Sequence, residues 1–263
     1  MEENPMTWIA ALGASHEQLA ALVEAMEPAM LRAPSYAREW TIAQVLSHLG
    51  SGAEITLGRL RAALGGEDTA EQEQMQAIWA RWDAMSPDDQ AANALATDRL
   101  LVERLENLNA DELAAVAIEF HGHVLDACRF IGLRLGEHAV HLWDIAVTQH
   151  PAAEIDETAT QLLIGSENFV RIAGVSGKAG THNFRVGIET TGPARSFVLR
   201  VGDGAVLLEP GVVPEPGDAV IELPAAAFVR LVYGRLDPAH TPLFAERGAQ
   251  PDLDTLRDVF RGF

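Results

Sequence analysis

The stretch Leu135-Gly136-Glu137-His138-Ala139-Val140-His141-Leu142-Trp143-Asp144-Ile145-Ala146-Val147-Thr148 carries two patterns at once. Leu135, Ala139, Leu142, Trp143 and Ala146 recur at helical spacing and make an apolar face. Glu137, His141, Asp144 and Thr148 follow at steps of four, three and four, so they share a neighbouring polar stripe. Such a stripe either faces water or lines an internal site, and the spacing alone leaves both readings open. The helix is expected from about His123 or Val124 to Thr148, closed by Pro151.

Working outward, the preceding residues repeat the helical period. Leu12, Leu19, Val23, Met26 and Met30 predict an amphipathic helix over roughly residues 7–32, with Pro34 and Ser35 in the loop that follows. Thr41 stands three residues before Gln44, the pattern of a capping box, and predicts a helix from Ile42 to Leu64 that stops at Gly65-Gly66. Ser86 followed by Pro87, Asp88 and Asp89 marks another start, for a helix that carries Leu95, Leu101, Val102 and Leu105 toward Leu108. Helices of this length predict a four-helix bundle over residues 1–150.

After Pro151 the apolar period changes. A helix is expected over about 156–172, then a Gly-rich turn. Alternating segments at 183–190, 196–201, 205–209 and 219–223 read as strands, separated by Gly192-Pro193, Gly202-Asp203-Gly204 and the 210–217 loop. Pro224 opens a helix ended by Gly234, and a last one spans about 253–260. The fold class is therefore α+β: an N-terminal four-helix bundle (1–150), then a small C-terminal α+β domain (151–263) with an antiparallel sheet and hairpin turns.

Composition narrows the function classes. The chain has 263 residues, 48% of them hydrophobic and 22% charged, which excludes a disordered chain. Nineteen Lys+Arg against 38 Asp+Glu leave a net charge of -19, with no segregated basic patch, so neither nucleic acid nor an anionic membrane surface is an expected partner. No apolar run approaches the length of a membrane-spanning helix, and the acidic start Met1-Glu2-Glu3-Asn4 does not resemble a secretory signal, so the expected compartment is the cytoplasm. Cys128 is the sole cysteine, which leaves only His and carboxylates for a metal.

His48 lies among Val45, Leu49 and Gly52, on the face of its helix that points into the bundle. Alone it reads as a hydrogen-bonded core histidine. With Glu137 and His141 it completes two imidazoles and a carboxylate from two helices, the donor set of a catalytic zinc that keeps a fourth position for water or substrate. Another divalent metal of similar preference fits the same donors. Asp144, one turn beyond His141, would accept its free ring N–H as a supporting partner; an ordinary surface aspartate is the other reading.

The stretches Trp40-Thr41-Ile42-Ala43-Gln44-Val45-Leu46-Ser47-His48-Leu49, Ala53-Glu54-Ile55 and Gly136 to Ile145 resemble the mycothiol-dependent maleylpyruvate isomerase family, a branch of the DinB-like metal-dependent thiol enzymes. Leu231-Val232-Tyr233-Gly234-Arg235 looks like that family's C-terminal Gly-Arg segment. The resemblance implies a DinB-like bundle with zinc on His48, Glu137 and His141; the carboxylate at 137, where many DinB-like bundles have a third histidine, points to the isomerase branch. It further implies mycothiol as thiol cosubstrate, deprotonated at the metal, adding to the double bond of maleylpyruvate. Rotation about the resulting single bond and elimination then give fumarylpyruvate. Arg235 is the candidate to grip a carboxylate of the anionic substrate, with the C-terminal domain covering the site. Its other reading is a helix-end arginine complementing the dipole. A mycothiol S-transferase acting on an electrophile or a biosynthetic intermediate, and a non-catalytic metal-binding or regulatory protein, are the competing functions. The chain is expected to act as a monomer or weak dimer. His16, His121 and His123 read as packing or surface residues, Cys128 as a small buried side chain, and His138 and His150 as lying off the Glu137 stripe.

Overall fold

A computed structural model describes residues 4–37, 39–66, 72–120, 122–215, 217–248 and 250–262. His121 and the Met1 to Glu3 start lie outside the described residues. The chain divides into two compact units, Met1–Ala153 and Glu154–Phe263.

In the first unit four long helices, α1 (Pro5–Glu24), α2 (Ile42–Ala63), α4 (Pro87–Glu106) and α6 (Ala127–Ala146), form the bundle. Each of α1 and α2 packs against both α4 and α6. The expected capping box is present: Thr41 Oγ1 accepts from Gln44 N at 3.3 Å and Gln44 Oε1 accepts from Thr41 N at 2.8 Å. Ser86 caps α4 by accepting from Asp89 N. Where α2 meets α4, a Cβ added at Gly50 would fall 2.3 Å from the Trp82 ring and 2.9 Å from Ala94 Cα, so only glycine permits this approach. Around that contact Leu19, Ile42, Val45, Leu46, Leu49 and Ile145 form the core.

The first unit differs from the sequence expectation in three places. The helix expected over 7–32 stops at Glu24, and Pro28–Arg32 forms a separate 3₁₀ turn; Pro28 pushes Glu27 into extended backbone (φ -63°, ψ 132°), which ends the α-helical run. An additional helix, α3 (Gln72–Asp83), packs on α2, burying Trp82 and half-burying Met75 and Ile78. The last bundle helix begins at Ala127, not His123: the preceding residues form α5 (Ala110–Ala115) and a hairpin of β1 (Ile118–Phe120) and β2 (His123–Leu125), and Asp126 then caps α6 by accepting from Arg129 N.

The second unit opens with α7 (Glu157–Ile164) and α8 (Glu167–Ser176), the single helix expected there being split because Ser166 caps a new start by accepting from Phe169 N. The sheet holds β3 (Phe184–Thr191), β4 (Arg195–Gly202), β5 (Ala205–Pro210), β6 (Ala219–Pro224) and β7 (Ala245–Arg247), in the order β5-β4-β3-β6-β7. Its pairings are antiparallel except β3 with β6, which run parallel with Ile188 opposite Ile221. Asp203 (φ 52°) and Gly204 (φ 77°) turn β4 into β5 with both central residues left-handed, the two-residue hairpin that matches strand twist. Helix α9 (Ala225–Val232) packs on β3 and β6, and α10 (Leu253–Val259) follows. Phe169 meets Phe197 and Phe228 edge-on in this core, and the latter two rings are tilted against each other. No helix among the described residues is long and apolar enough to cross a membrane.

Candidate metal centre

Helices α2 and α6 bring His48, Glu137 and His141 together in the first unit. Their ligand atoms lie within 4.8 Å of one another. His48 Nε2 is 3.2 Å from Glu137 Oε2, and His141 Nε2 is 3.7 Å from the same oxygen. Two ligands about 2.0–2.2 Å from a tetrahedral ion stand roughly 3.3–3.6 Å apart, so these separations suit an ion better than a direct hydrogen bond at ideal length.

The two ends of the site differ in burial. His141 and Asp144 are buried, whereas the Glu137 side chain is 47% exposed and that of His48 38%. Ligands therefore converge from a buried floor toward an accessible edge. Trp40 roofs part of it, its ring centroid 5.1 Å from that of His48 and 6.0 Å from that of His141. Thr148, the last member of the polar stripe, is exposed and donates through Oγ1 to Ile145 O at 2.7 Å.

Asp144 Oδ2 lies 2.9 Å from His141 Nδ1. With Nδ1–H donating there, the Nε2 lone pair points toward Glu137 and His48, the tautomer a metal ligand needs. Burial pushes the His141 imidazole below its ordinary pKa, against the opposing pull of Asp144. Burial works to raise the Glu137 carboxyl, but the His48 hydrogen bond and the charges of His141, His48 and Arg134 outweigh it and hold the group down to about 2. At neutral pH the centre thus offers an anionic carboxylate and a neutral imidazole, the protonation states that ligation requires.

A second gathering of ionisable groups lies deeper. Asp98 on α4 accepts at Oδ2 from His16 Nδ1 and from His138 Nε2, both at 2.9 Å, and at Oδ1 from Arg134 Nη2 at 2.7 Å. Ser15 Oγ donates to His138 Nδ1 at 2.7 Å, and Arg134 Nη2 also donates to Leu49 O at 2.8 Å. Although His16, Asp98 and His138 are close enough to be considered for an ion, the carboxylate the two imidazoles share also accepts from the Arg134 guanidinium. That is a satisfied polar network, and an added cation would displace it. Burial works to raise the Asp98 carboxyl, but the charges of His138 and Arg134 and the hydrogen bonds from both imidazoles leave it well below the ordinary carboxylate range.

His16 and His138 are therefore core groups of one network. Asp98 and Arg134 escape a reading based on the polar stripe of α6, yet each leaves a trace: both are charged residues at positions where helical spacing calls for apolar ones, Asp98 between Ala94 and Leu101, Arg134 beside Ile131 and Leu135. Cys128 is buried, while His123 and His150 are exposed.

Arg235 belongs to the second unit and is not among the groups gathered in the first. It follows a Schellman ending of α9: Gly234 is left-handed (φ 71°), its N–H reaches Leu231 O at 2.9 Å, and the Arg235 N–H reaches Arg230 O at 2.6 Å. Its Nη1 donates to Tyr233 O at 2.7 Å.

Comparison with known proteins supplies an independent line. The family model described as the mycothiol maleylpyruvate isomerase N-terminal domain matches residues 12–146. No curated protein sequence matches the chain significantly. Among solved structures, the crystal structure of the mycothiol-dependent maleylpyruvate isomerase superposes with a TM-score of 0.67 at 15% identity, covering 95% of this chain and 96% of that one. A histidine-to-alanine variant of that enzyme gives the same values. At this identity the superposition speaks for the fold.

Proposed function

Because the chain belongs to the mycothiol maleylpyruvate isomerase family through its N-terminal domain, we propose that it is a divalent-metal enzyme, with zinc the best-fitting ion, that takes mycothiol as cosubstrate and carries out cis-trans isomerisation of a maleylpyruvate-like acid. The observation that carries this reading is the convergence of His48 and His141 on one Glu137 oxygen at ligand-to-ligand spacing. His48, Glu137 and His141 would hold the ion, and Asp144 would keep His141 in the required tautomer. The bound ion supplies the positive charge that keeps a coordinated thiol deprotonated at neutral pH.

The protein's own part is to orient the thiolate and the acid. Three protein ligands leave a coordination position open, and the exposed Glu137 edge is the side from which thiol and substrate would enter. A reducing cytoplasm is the compartment this chemistry requires. Net transfer of the thiol to an electrophile would use the same ligands but consume one thiol per product. Incubation with mycothiol and maleylpyruvate tests the choice: fumarylpyruvate should form over many turnovers with the free thiol undiminished. Stoichiometric loss of thiol would indicate an S-transferase, and no thiol-dependent product a non-catalytic protein.

Arg235 is proposed to bind one carboxylate of the substrate. Arg235→Lys keeps the charge but loses the two-pronged grip, and should lower kcat/KM toward the diacid by tenfold or more while metal content stays unchanged. Full activity in both Arg235→Lys and Arg235→Ala would make it only the residue that follows the helix end.

A further inference from the structure

We propose that Arg134 binds a carboxylate of a small acid at the floor of the metal centre, and that residue 52 is glycine because a side chain there would cover the guanidinium edge that does so. The identity of the acid rests on the isomerase reading above; the anion-binding role rests on the local geometry.

Arg134 sits on α6 three residues before Glu137, and Gly52 on α2 four residues after His48. The guanidinium is held by one nitrogen, Nη2, which donates to Leu49 O and Asp98 Oδ1. These acceptors come from α2 and α4, so the group's position is fixed. Nη1 makes no hydrogen bond to any described residue, while the buried nitrogen without a partner is Nε; Nη1 keeps a sliver of accessible surface. That surface opens at Gly52, where an added Cβ would come within 2.9 Å of Nη1. An immobilised guanidinium with an unused N–H pair, reachable from one direction, is built to receive an oxyanion.

The charge arrangement agrees. Asp98 offers Arg134 only Oδ1, its other oxygen being taken by His16 and His138. In a chain with a net charge of -19, an anionic substrate needs such a local cation. Along their helices Gly52 and Arg134 stand about one turn, roughly 5.4 Å along the axis, from His48 and Glu137. A short acid can bridge that distance, with its reacting carbon at the metal and one carboxylate on Arg134.

The test is calorimetric titration of the metal-loaded full chain with maleate, and with its uncharged dimethyl ester as control, in the wild type, Gly52→Ala and Arg134→Lys. Gly52→Ala is the more local probe, because alanine favours the helix and replaces no metal ligand, while its Cβ, 2.9 Å from Nη1, presses directly on the guanidinium edge. Maleate affinity should fall tenfold or more in both variants. Ester binding and metal content should stay the same, and in turnover the loss should appear in KM more than in kcat. The proposal is overturned if wild-type protein does not bind maleate, if both variants bind it like the wild type, or if the ester loses affinity in parallel, which would mark a steric effect. Failure of the isomerase reading looks different: no thiol-dependent turnover, with maleate binding still sensitive to Gly52→Ala.

Discussion

His141→Ala should take the protein from one divalent ion per chain to none measurable by metal analysis, and thiol-dependent turnover should vanish with it. His141 is the most buried of the three ligands, and its Nε2 is already presented by the Asp144 bond, so its loss removes the anchor of the centre. Asp144→Asn should weaken metal affinity by about 10–100-fold, the usual cost of losing a ligand's supporting partner. Chelation of the wild type should abolish turnover yet leave the helical circular dichroism intact, because the bundle has its own apolar core in Ile42, Val45, Leu46 and Leu49. Unfolding on chelation would instead identify a structural ion. Full metal occupancy in His141→Ala would remove the centre from consideration.

The second large effect is on stability. Asp98→Ala should destabilise the first unit by about 3–5 kcal/mol, because it leaves the buried Arg134 guanidinium without its carboxylate and removes the shared acceptor of His16 and His138. Chemical denaturation of wild type and variant measures the gap. Its pH dependence has a definite sign: a carboxyl held below its ordinary value contributes its full stabilisation above the unfolded-state pKa near ~3.9 and loses it as pH falls through the lower folded value. The gap should therefore be constant around neutrality and narrow only in strong acid. A gap under about 1 kcal/mol would show that the network contributes little.

What could be read from the sequence was whatever has a local cause. The Thr41 to Gln44 box, the Pro87 start and the Glu137-His141-Asp144 stripe each depend on residues within one or two turns, and the structure has all three where the spacing puts them. Helix α3 has only a faint signal, since Met75, Ile78, Trp79 and Trp82 recur at helical spacing in an otherwise polar, charged segment and only Trp82 is buried. The β1-β2 hairpin resembles the start of α6 in sequence because Val124 and Leu125 suit either element, and the Asp126 cap decides between them. The parallel pairing of β3 with β6 joins strands distant in sequence and has no local signature. The Asp98 network is of the same kind: His138 lies off the Glu137 face, and its own face turns toward α1 and α4, whose Ser15 and Asp98 give it partners.

The division into two units also governs how the molecule can be observed. All five tryptophans, at positions 8, 40, 79, 82 and 143, belong to the first unit, and the second has Tyr233 but no indole. Intrinsic tryptophan emission is thus a private signal of the helical bundle, in which Trp82 and Trp143 are buried and Trp40 flanks the candidate ligands. Loosening of the β3 to β7 sheet would pass unseen in that channel while still altering the far-ultraviolet spectrum. A melting curve recorded by fluorescence and one recorded by circular dichroism need not coincide for this chain, and their separation would measure how independently its two halves come apart.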